Sequence, residues 1–327
     1  MQCQLDLLST CRTPAKVEIA LKQRPKTIEG TYSAMLNQIN VNDRGFARNA
    51  LLWLGYARRP LTLSELCEAI VFDDDCEELD DDHRLLPKPE VIHEICPGLI
   101  SINSNTREVA LAHFSVRTYL ASLDGGEFFH IYKHEAREFI AMQCLRYISF
   151  PAFSGGFCST AVLDEKRKSW PLLNYAALYW APHVESLAHH ISRSVEQLMH
   201  NFFESSRRAQ GGGAYGFWLR ALNPNGKWHV QHTKPLYYAA SFGLIHVVRN
   251  ILKSTQKADL DAHGGRYGLT ALQSAVFRDN REIVKVLLQH GANPNARSFH
   301  DSTALEIARD NHDEEMEWLL KDAGAIG

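Results

Sequence analysis

Sixteen histidines make metal chemistry the first possibility to test. A zinc hydrolase helix needs a second imidazole four residues after the first, so that both face one side, with a glutamate beside them as base. After His93-Glu94 that position holds Pro97, and after His134-Glu135 it holds Glu138. His183, His189, His190 and His200 have no cysteines at zinc-finger spacing, so all of them read as solvated or packing side chains and no metal site is expected. Serine hydrolysis needs a nucleophile on a strained turn such as G-x-S-x-G, together with a base and an oxyanion hole. No such motif occurs, and Ser154-Gly155-Gly156 reads as a plain turn. Phosphate binding by a G-x-x-x-x-G-K-[ST] loop fails as well. Gly226-Lys227 comes nearest, but Trp228 stands where the magnesium-binding hydroxyl should be and position 221 is Ala. In Asp73-Asp74-Asp75-Cys76-Glu77-Glu78-Leu79-Asp80-Asp81-Asp82 a calcium loop would require glycine at the sixth position, which is Glu78. This acidic run is expected to be a solvated loop. The expectation is a protein with no catalytic residues and no cofactor.

With enzyme chemistry set aside, the elements that carry these residues decide the reading. The chain has 327 residues, enough for about two domains, or three if one is a short repeat array. Its 35 basic and 38 acidic residues leave a net charge of −3, without the broad positive field of a general nucleic-acid binder. Seven scattered cysteines with no C-x-x-C fit reduced cytosolic thiols. Met1-Gln2-Cys3-Gln4-Leu5-Asp6 lacks a basic region and a long apolar stretch, and no run of about 18 apolar residues occurs. A cytoplasmic protein without a membrane segment is expected.

Internal repetition organises the C-terminal third. Pro235-Leu236-Tyr237-Tyr238-Ala239-Ala240 aligns with Ala271-Leu272-Gln273-Ser274-Ala275-Val276, 36 residues on, and with Ala304-Leu305-Glu306-Ile307-Ala308-Arg309, a further 33. Each run is followed by a second apolar stretch, for example Ile283, Val284, Leu287 and Leu288, so each unit is a helical hairpin. Residues 233–327 resemble ankyrin repeats, about three units forming a helical solenoid. Thr270-Ala271-Leu272 and Thr303-Ala304-Leu305 match that family's helix start. Lys234 replaces the capping Thr in the first unit, which predicts fraying there. The family's glycine after the first helix survives as Gly243 but becomes Asp279 and His312, which predicts less regular turns.

Residues 45–123 read as a separate domain. A helix through Phe46, Leu51 and Trp53 stops at Arg59-Pro60, and Thr62-Leu63-Ser64-Glu65 supplies a capping box for the next. A third helix carrying Val91, Ile92 and Ile95 ends at Pro97-Gly98. Two strands then flank the polar turn Asn103-Ser104-Asn105-Thr106. The pattern predicts a winged helix-turn-helix with a small β-hairpin, in a chain that is mainly α.

Gln4-Leu5-Asp6 with Cys11, Arg24-Pro25-Lys26-Thr27 leading to Thr31-Tyr32, Arg59-Pro60-Leu61-Thr62 and His113-Phe114-Ser115-Val116-Arg117-Thr118-Tyr119-Leu120 are similar to successive landmarks of fungal NACHT-ankyrin proteins. Those are STAND-class signalling ATPases. Trp170-Pro171-Leu172-Leu173-Asn174-Tyr175-Ala176, with Trp180 and His183, resembles the segment joining winged helix to repeats in that family. The resemblance implies a helical tail of a NACHT module (1–44), the winged helix (45–123), a helical linker (124–232) with a flexible break at Gly211-Gly212-Gly213, and the repeats. It implies a regulatory and ligand-recognition end without the ATPase cassette, and contact with a NACHT module in cis or in trans. Either the chain is a truncated paralogue or the cassette is encoded upstream, making the whole an ATP-switched protein.

Winged helices commonly bind DNA. Between residues 61 and 100, however, Arg84 and Lys88 alone oppose twelve carboxylates, a balance of −10, so the groove-facing helix would meet phosphate with like charge. No nucleic acid is expected. A protein partner bound through the ankyrin groove is expected instead, because repeat arrays bind through hairpin tips and the exposed side of each first helix. Matched to the family pattern, the variable positions are Ser241 and Phe242 in the first unit; Arg266, Tyr267, Leu269, Phe277 and Arg278 in the middle one; and Phe299, His300, Asp310 and Asn311 in the last. From the missing phosphate cradle, titration with a fluorescent ATP analogue and Mg²⁺ is expected to give no saturable signal. Micromolar binding competed by unlabelled ATP would overturn that reading.

Overall fold

The computed structural model describes residue 13, residues 27–71, residue 79 and residues 84–187, 191–208, 212–226, 231–253 and 257–326. The landmarks before Thr27 other than residue 13, the acidic run apart from Leu79, His189, His190, Gly211 and Lys227-Trp228 lie outside the described residues. The chain divides into two compact units, Met1–Ile140 and Ala141–Gly327, each considered by itself below.

In the first unit, α1 (Ile28–Gln38) begins at Thr27, whose hydroxyl accepts from the Gly30 amide at 3.1 Å. Helix α2 (Arg44–Tyr56) ends before Arg59-Pro60. The chain continues through β1 (Leu61–Thr62), α3 (Leu63–Val71), α4 (Pro89–Ile95), β2 (Ile100–Ile102), β3 (Glu108–Leu111) and α5 (Phe114–Ser122). This is a winged helix. Its hairpin strands β2 and β3 pair antiparallel, and β1 adds to the free edge of β3, giving the order β1-β3-β2 with Leu61 opposite the buried Val109. Thr62 and Glu65 form the anticipated capping box: the Thr62 amide donates to Glu65 at 2.9 Å and the Glu65 amide to the Thr62 hydroxyl at 3.3 Å. Glu65 also takes both Arg59 guanidinium nitrogens, at 2.9 and 2.5 Å, so the residue that stops α2 is tied to the start of α3. Trp53, Leu51, Leu66, Ile92 and Leu99 form the core. The Cys67 and Cys96 thiols are pushed up to about 12 by burial, which keeps them protonated and unreactive at neutral pH.

Helix α6 (Lys133–Ile148) contains the division between the units. The second unit then comprises α7 (Thr160–Ser169), α8 (Leu173–Glu185), α9 (Arg193–Arg208) and α10 (Gly213–Leu222). Three hairpins follow: α11 (Pro235–Ser241) with α12 (Ile245–Leu252), α13 (Ala271–Phe277) with α14 (Arg281–Gln289), and α15 (Ala304–Asp310) with α16 (Glu314–Asp322). These are ankyrin repeats. Gly212 and Gly213, read from sequence as part of a break, instead start α10, the former as its N-cap.

An aromatic cluster leads from the helical segment into the array. Trp180 on α8 and Trp218 on α10 are fully buried, 5.9 Å apart, with Phe202 of α9 edge-on to both. Trp218 continues to Tyr238 of α11 at 4.9 Å, and its indole N–H donates to the Ala177 carbonyl at 2.8 Å. The buried Tyr215 hydroxyl donates to the Thr233 carbonyl at 2.9 Å.

Within the repeats, Thr270 with Gln273 and Thr303 with Glu306 form complete capping boxes, whereas Lys234 makes no side-chain cap. The helix turns are more regular than the sequence predicts. Gly243, Asp279 and His312 all adopt positive φ, at 72°, 56° and 54°. The same bond closes each turn: Leu244 N–H to Ala239, Asn280 N–H to Ala275 and Asp313 N–H to Ala308, at 3.0, 2.9 and 3.0 Å. Packing of the hairpins imposes the left-handed residue whether or not glycine is present.

The third unit differs from the others on its outer face. The buried apolar positions Ala240 and Val248 of the first unit recur as Val276 and Val284 in the second, but become Arg309 and Glu317 in the third. Lys321 likewise replaces Leu252 and Leu288. Glu317 accepts from Lys321 at 2.9 Å and lies 3.6 Å from Arg309, so this face is a solvated polar cap. The Lys321 hydrogen bond is the main reason the Glu317 carboxyl is held below the usual carboxylate range. A depressed carboxylate contributes above its unfolded value and is lost as pH falls through its folded one. The array keeps this contribution at neutral pH.

Because exposed His312 holds a conformation costing a side chain about 1–2 kcal/mol, His312→Gly is expected to stabilise the array by about 0.5–1 kcal/mol after the extra unfolded-state entropy of glycine. Thermal denaturation should show a Tm higher by roughly 1–4 °C. A lower Tm would mean the imidazole has a stabilising role of its own.

Candidate protein-binding surface

The surface is built from two rows of residues, at the hairpin tips and at the ends of the first helices. The first tip, residues 264–269, is closed by the Gly264 amide donating to the Leu269 carbonyl at 2.9 Å, and held by the Gly265 amide donating to the buried Thr233 hydroxyl at 2.9 Å. The second tip is closed by the Ser298 amide donating to the Ser302 carbonyl at 2.9 Å. Buried Gln273 on α13 ties the units together, its amide nitrogen donating to the Ala296 and Ser302 carbonyls, both at 2.8 Å. The capping residue of one helix thus also fixes the next tip.

On these tips Arg266, Tyr267, Phe299 and His300 are exposed, Tyr267 at 53% and Phe299 at 55%. The Tyr267 and His300 rings lie 6.1 Å apart. Phe299 stacks on His263 at 5.0 Å and covers Gly268, where φ is 59° and any Cβ would strike the ring. Glycine at 268 is what allows Phe299 to lie flat across the tip.

Leu269 is a correction. The match to the repeat pattern places it on the surface, yet it is only 9% exposed, on a tip where it pairs with Gly264. It belongs to the fold.

The second row lies one helix length away. Phe277 is 53% exposed, with the Arg278 guanidinium 5.9 Å from its ring centroid. Asp310 and Asn311 are exposed at the equivalent positions of the third unit. In the first unit Ser241 and Phe242 are only half-exposed, since Phe242 joins the aromatic cluster, 5.7 Å from Tyr238 and 5.9 Å from Trp180. Ser241, Phe242 and Arg278 come together around a depression of 530 Å³ with Met199, His246 and Ile283. A larger cleft, of 840 Å³, lies on the tip side between Tyr215, Leu219, Lys234, Leu236, His263 and Phe299. Small residues inside the stack, Ala239, Ala240, Ala275 and Ala308, bring the helices close, which leaves the large side chains outside.

Sequence reasoning missed His263. Its Nε2 is 2.7 Å from the Arg297 carbonyl, and its ring supports Phe299. The repeat register carried a signal, because His263 stands where the next unit has the small Ala296.

Among the described residues no group of three or more His, Cys, Asp or Glu side chains could hold a metal, and no helix is long and apolar enough to cross a membrane. The arrangement offers aromatic faces and guanidinium groups on a rigid scaffold, the usual makings of protein-binding hot spots.

The family model for the GPI inositol-deacylase winged helix domain matches residues 23–131, and that for ankyrin repeats matches residues 216–298 and 236–326. Domains of these two kinds are generally non-catalytic, and ankyrin repeats mark a protein–protein interaction module. The chain is 29% identical over 311 residues to azaphilone pigments biosynthesis cluster protein L of Monascus ruber, covering 86% of this chain and 63% of that protein. It is 35% identical over 125 residues to transient receptor potential cation channel subfamily A member 1 of Homo sapiens, covering 37% of this chain and 11% of the channel. The chain therefore spans less than two thirds of the length of these curated relatives. The solved ankyrin repeat domain of Bcl-3 is 20% identical, covering 51% of this chain and 80% of that one, at a TM-score of 0.28 that is too low to bear on the architecture.

Proposed function

We propose that this chain is a non-enzymatic, cytoplasmic protein-recognition module: the regulatory winged helix, helical linker and ankyrin recognition end of a NACHT-ankyrin signalling receptor. The carrying observation is that Tyr267 and Phe299 on the tips and Phe277 at the end of α13 are each more than half exposed, with Arg266 and Arg278 beside them on one array. Aromatic and Arg side chains lose little conformational freedom for the area they bury on binding, and they dominate binding energy wherever they cluster. In this reading the chain consists of a tail over residues 1–44, a winged helix over 45–123, a linker over 124–232 and repeats over 233–327. A NACHT module, in cis or in trans, would be the switch that this recognition end controls.

DNA reading by the winged helix is disfavoured by the helix that would enter the groove. Its buried side carries Ile92 and Ile95, while its exposed side carries Glu90, His93 and Glu94. Carboxylates there would face phosphate.

The test separates surface from scaffold. Replacing Phe277 and Arg278 together by Ala is expected to leave Tm within about 1 °C while weakening a protein partner at least fivefold, since truncating one hot-spot side chain commonly costs about 1 kcal/mol or more. Ala275→Glu, at a position with no exposed surface, is expected to abolish the melt of the array as well as binding. Unchanged partner recovery with the double Ala variant would refute the surface.

A further inference from the structure

We infer that the ankyrin surface takes an extended acidic peptide segment: two carboxylates roughly three to five residues apart, bracketing a bulky apolar side chain. This rests on the reading that the tip-and-helix surface binds protein, and it adds the chemistry of what is bound.

Charge pairing on this side of the array carries the inference. Its carboxylates are mostly taken: Asp259 lies 3.6 Å from Lys234, Asp301 lies 3.0 Å from Arg297, and Asp279 lies 2.7 Å from Arg281. Asp261 accepts the Asn293 amide at 2.9 Å. Glu306 is spent on its capping box. Arg266 and Arg278, by contrast, are both exposed, and among the described residues no carboxylate lies within salt-bridge distance of either. Asp310 has neither an ion pair nor a capping role among the described residues, but it sits a full unit beyond Arg278, at the end of the surface.

The two guanidinium groups are therefore solvated cations open to a partner's carboxylates, with the exposed Tyr267 and Phe277 rings beside them. Arg266 follows the tip glycines and Arg278 follows α13, so the seven residues of that helix alone contribute about 10 Å to the separation of the two rows, to which residues 267–270 add. An extended peptide advances about 3.3 Å per residue, which sets the spacing of the carboxylates. The Tyr267 and Phe277 rings lie in the same two rows and would receive the apolar side chain. Arg278, resting near the Phe277 ring, is partly pre-oriented, and a guanidinium fork donates two parallel hydrogen bonds to a carboxylate. A basic segment would leave both arginines facing like charge.

The test uses a displayed library of random twelve-residue peptides selected on the full chain at low salt. The expected outcome is enrichment of Asp and Glu three to five positions apart around Phe, Leu, Tyr or Trp. Enriched peptides, synthesised and measured by fluorescence anisotropy, should weaken about tenfold between 20 and 300 mM salt through screening. They should weaken at least tenfold on the Arg266→Glu, Arg278→Glu double variant, which should in turn gain affinity for their Lys-substituted versions. Enriched peptides without acidic pairs, yet lost on Phe277→Ala, would overturn this inference and leave the protein-binding surface standing. Acidic peptides that bind both the charge-reversed and the Phe277→Ala variants unchanged would overturn both. A library yielding no binder would also overturn the inference.

Discussion

A repeat unit cannot bury both of its faces by itself, and every feature of the second unit follows from how that constraint is met at the two ends of the array. In the middle, Ala275, Val284 and Leu287 are buried between neighbours. At the far end the same register carries Arg309, Glu317 and Lys321, which solvate the last face. At the near end the helices that precede the array take that place. Trp180, Phe202, Tyr215 and Trp218 instead form a dense aromatic block that Tyr238 and Phe242 of the first repeat complete. The first repeat lacks a capping Thr, so it leans on that block for what its own sequence does not provide.

Capping at both ends makes three repeats sufficient to hold a surface still. The hydrogen bonds that build the array are shared between scaffold and surface: Gln273 closes its own helix start and then holds the following tip, and the buried Thr233 hydroxyl accepts from the Gly265 amide of the first tip. Position of the tips is therefore set by buried groups, not by the exposed side chains that would meet a partner. That division allows the outward residues to change while the fold remains, which is the property a recognition module needs.

Much of this was legible in the sequence wherever a short-range rule applied. The capping box at Thr62, the stop at Arg59-Pro60 and the hairpin turn after Asn103 all depend on residues within four positions of one another. Features set by distant partners were not legible. The two-residue strand at Leu61 exists only because β3 offers a free edge, and Leu269 is buried on a tip where it pairs with Gly264. Asp279 and His312 looked like interruptions of a glycine pattern, yet packing of the hairpins holds them in the glycine conformation. The aromatic block has no repeat period at all, so its role as the array's near cap emerges only when α8, α9 and α10 are seen around Trp218.

That role is the centre of the account, and hydrogen–deuterium exchange on the full chain carrying Trp218→Ala tests it most directly. Removing a fully buried indole commonly costs about 3–5 kcal/mol. Amides of α9, α10, α11 and α12 are expected to lose protection together, while α15 and α16, stabilised at the opposite end, keep most of theirs. Loss of protection confined to α10, with α11 and α12 unchanged, would show that the first repeat stands without the aromatic block and would contradict the account.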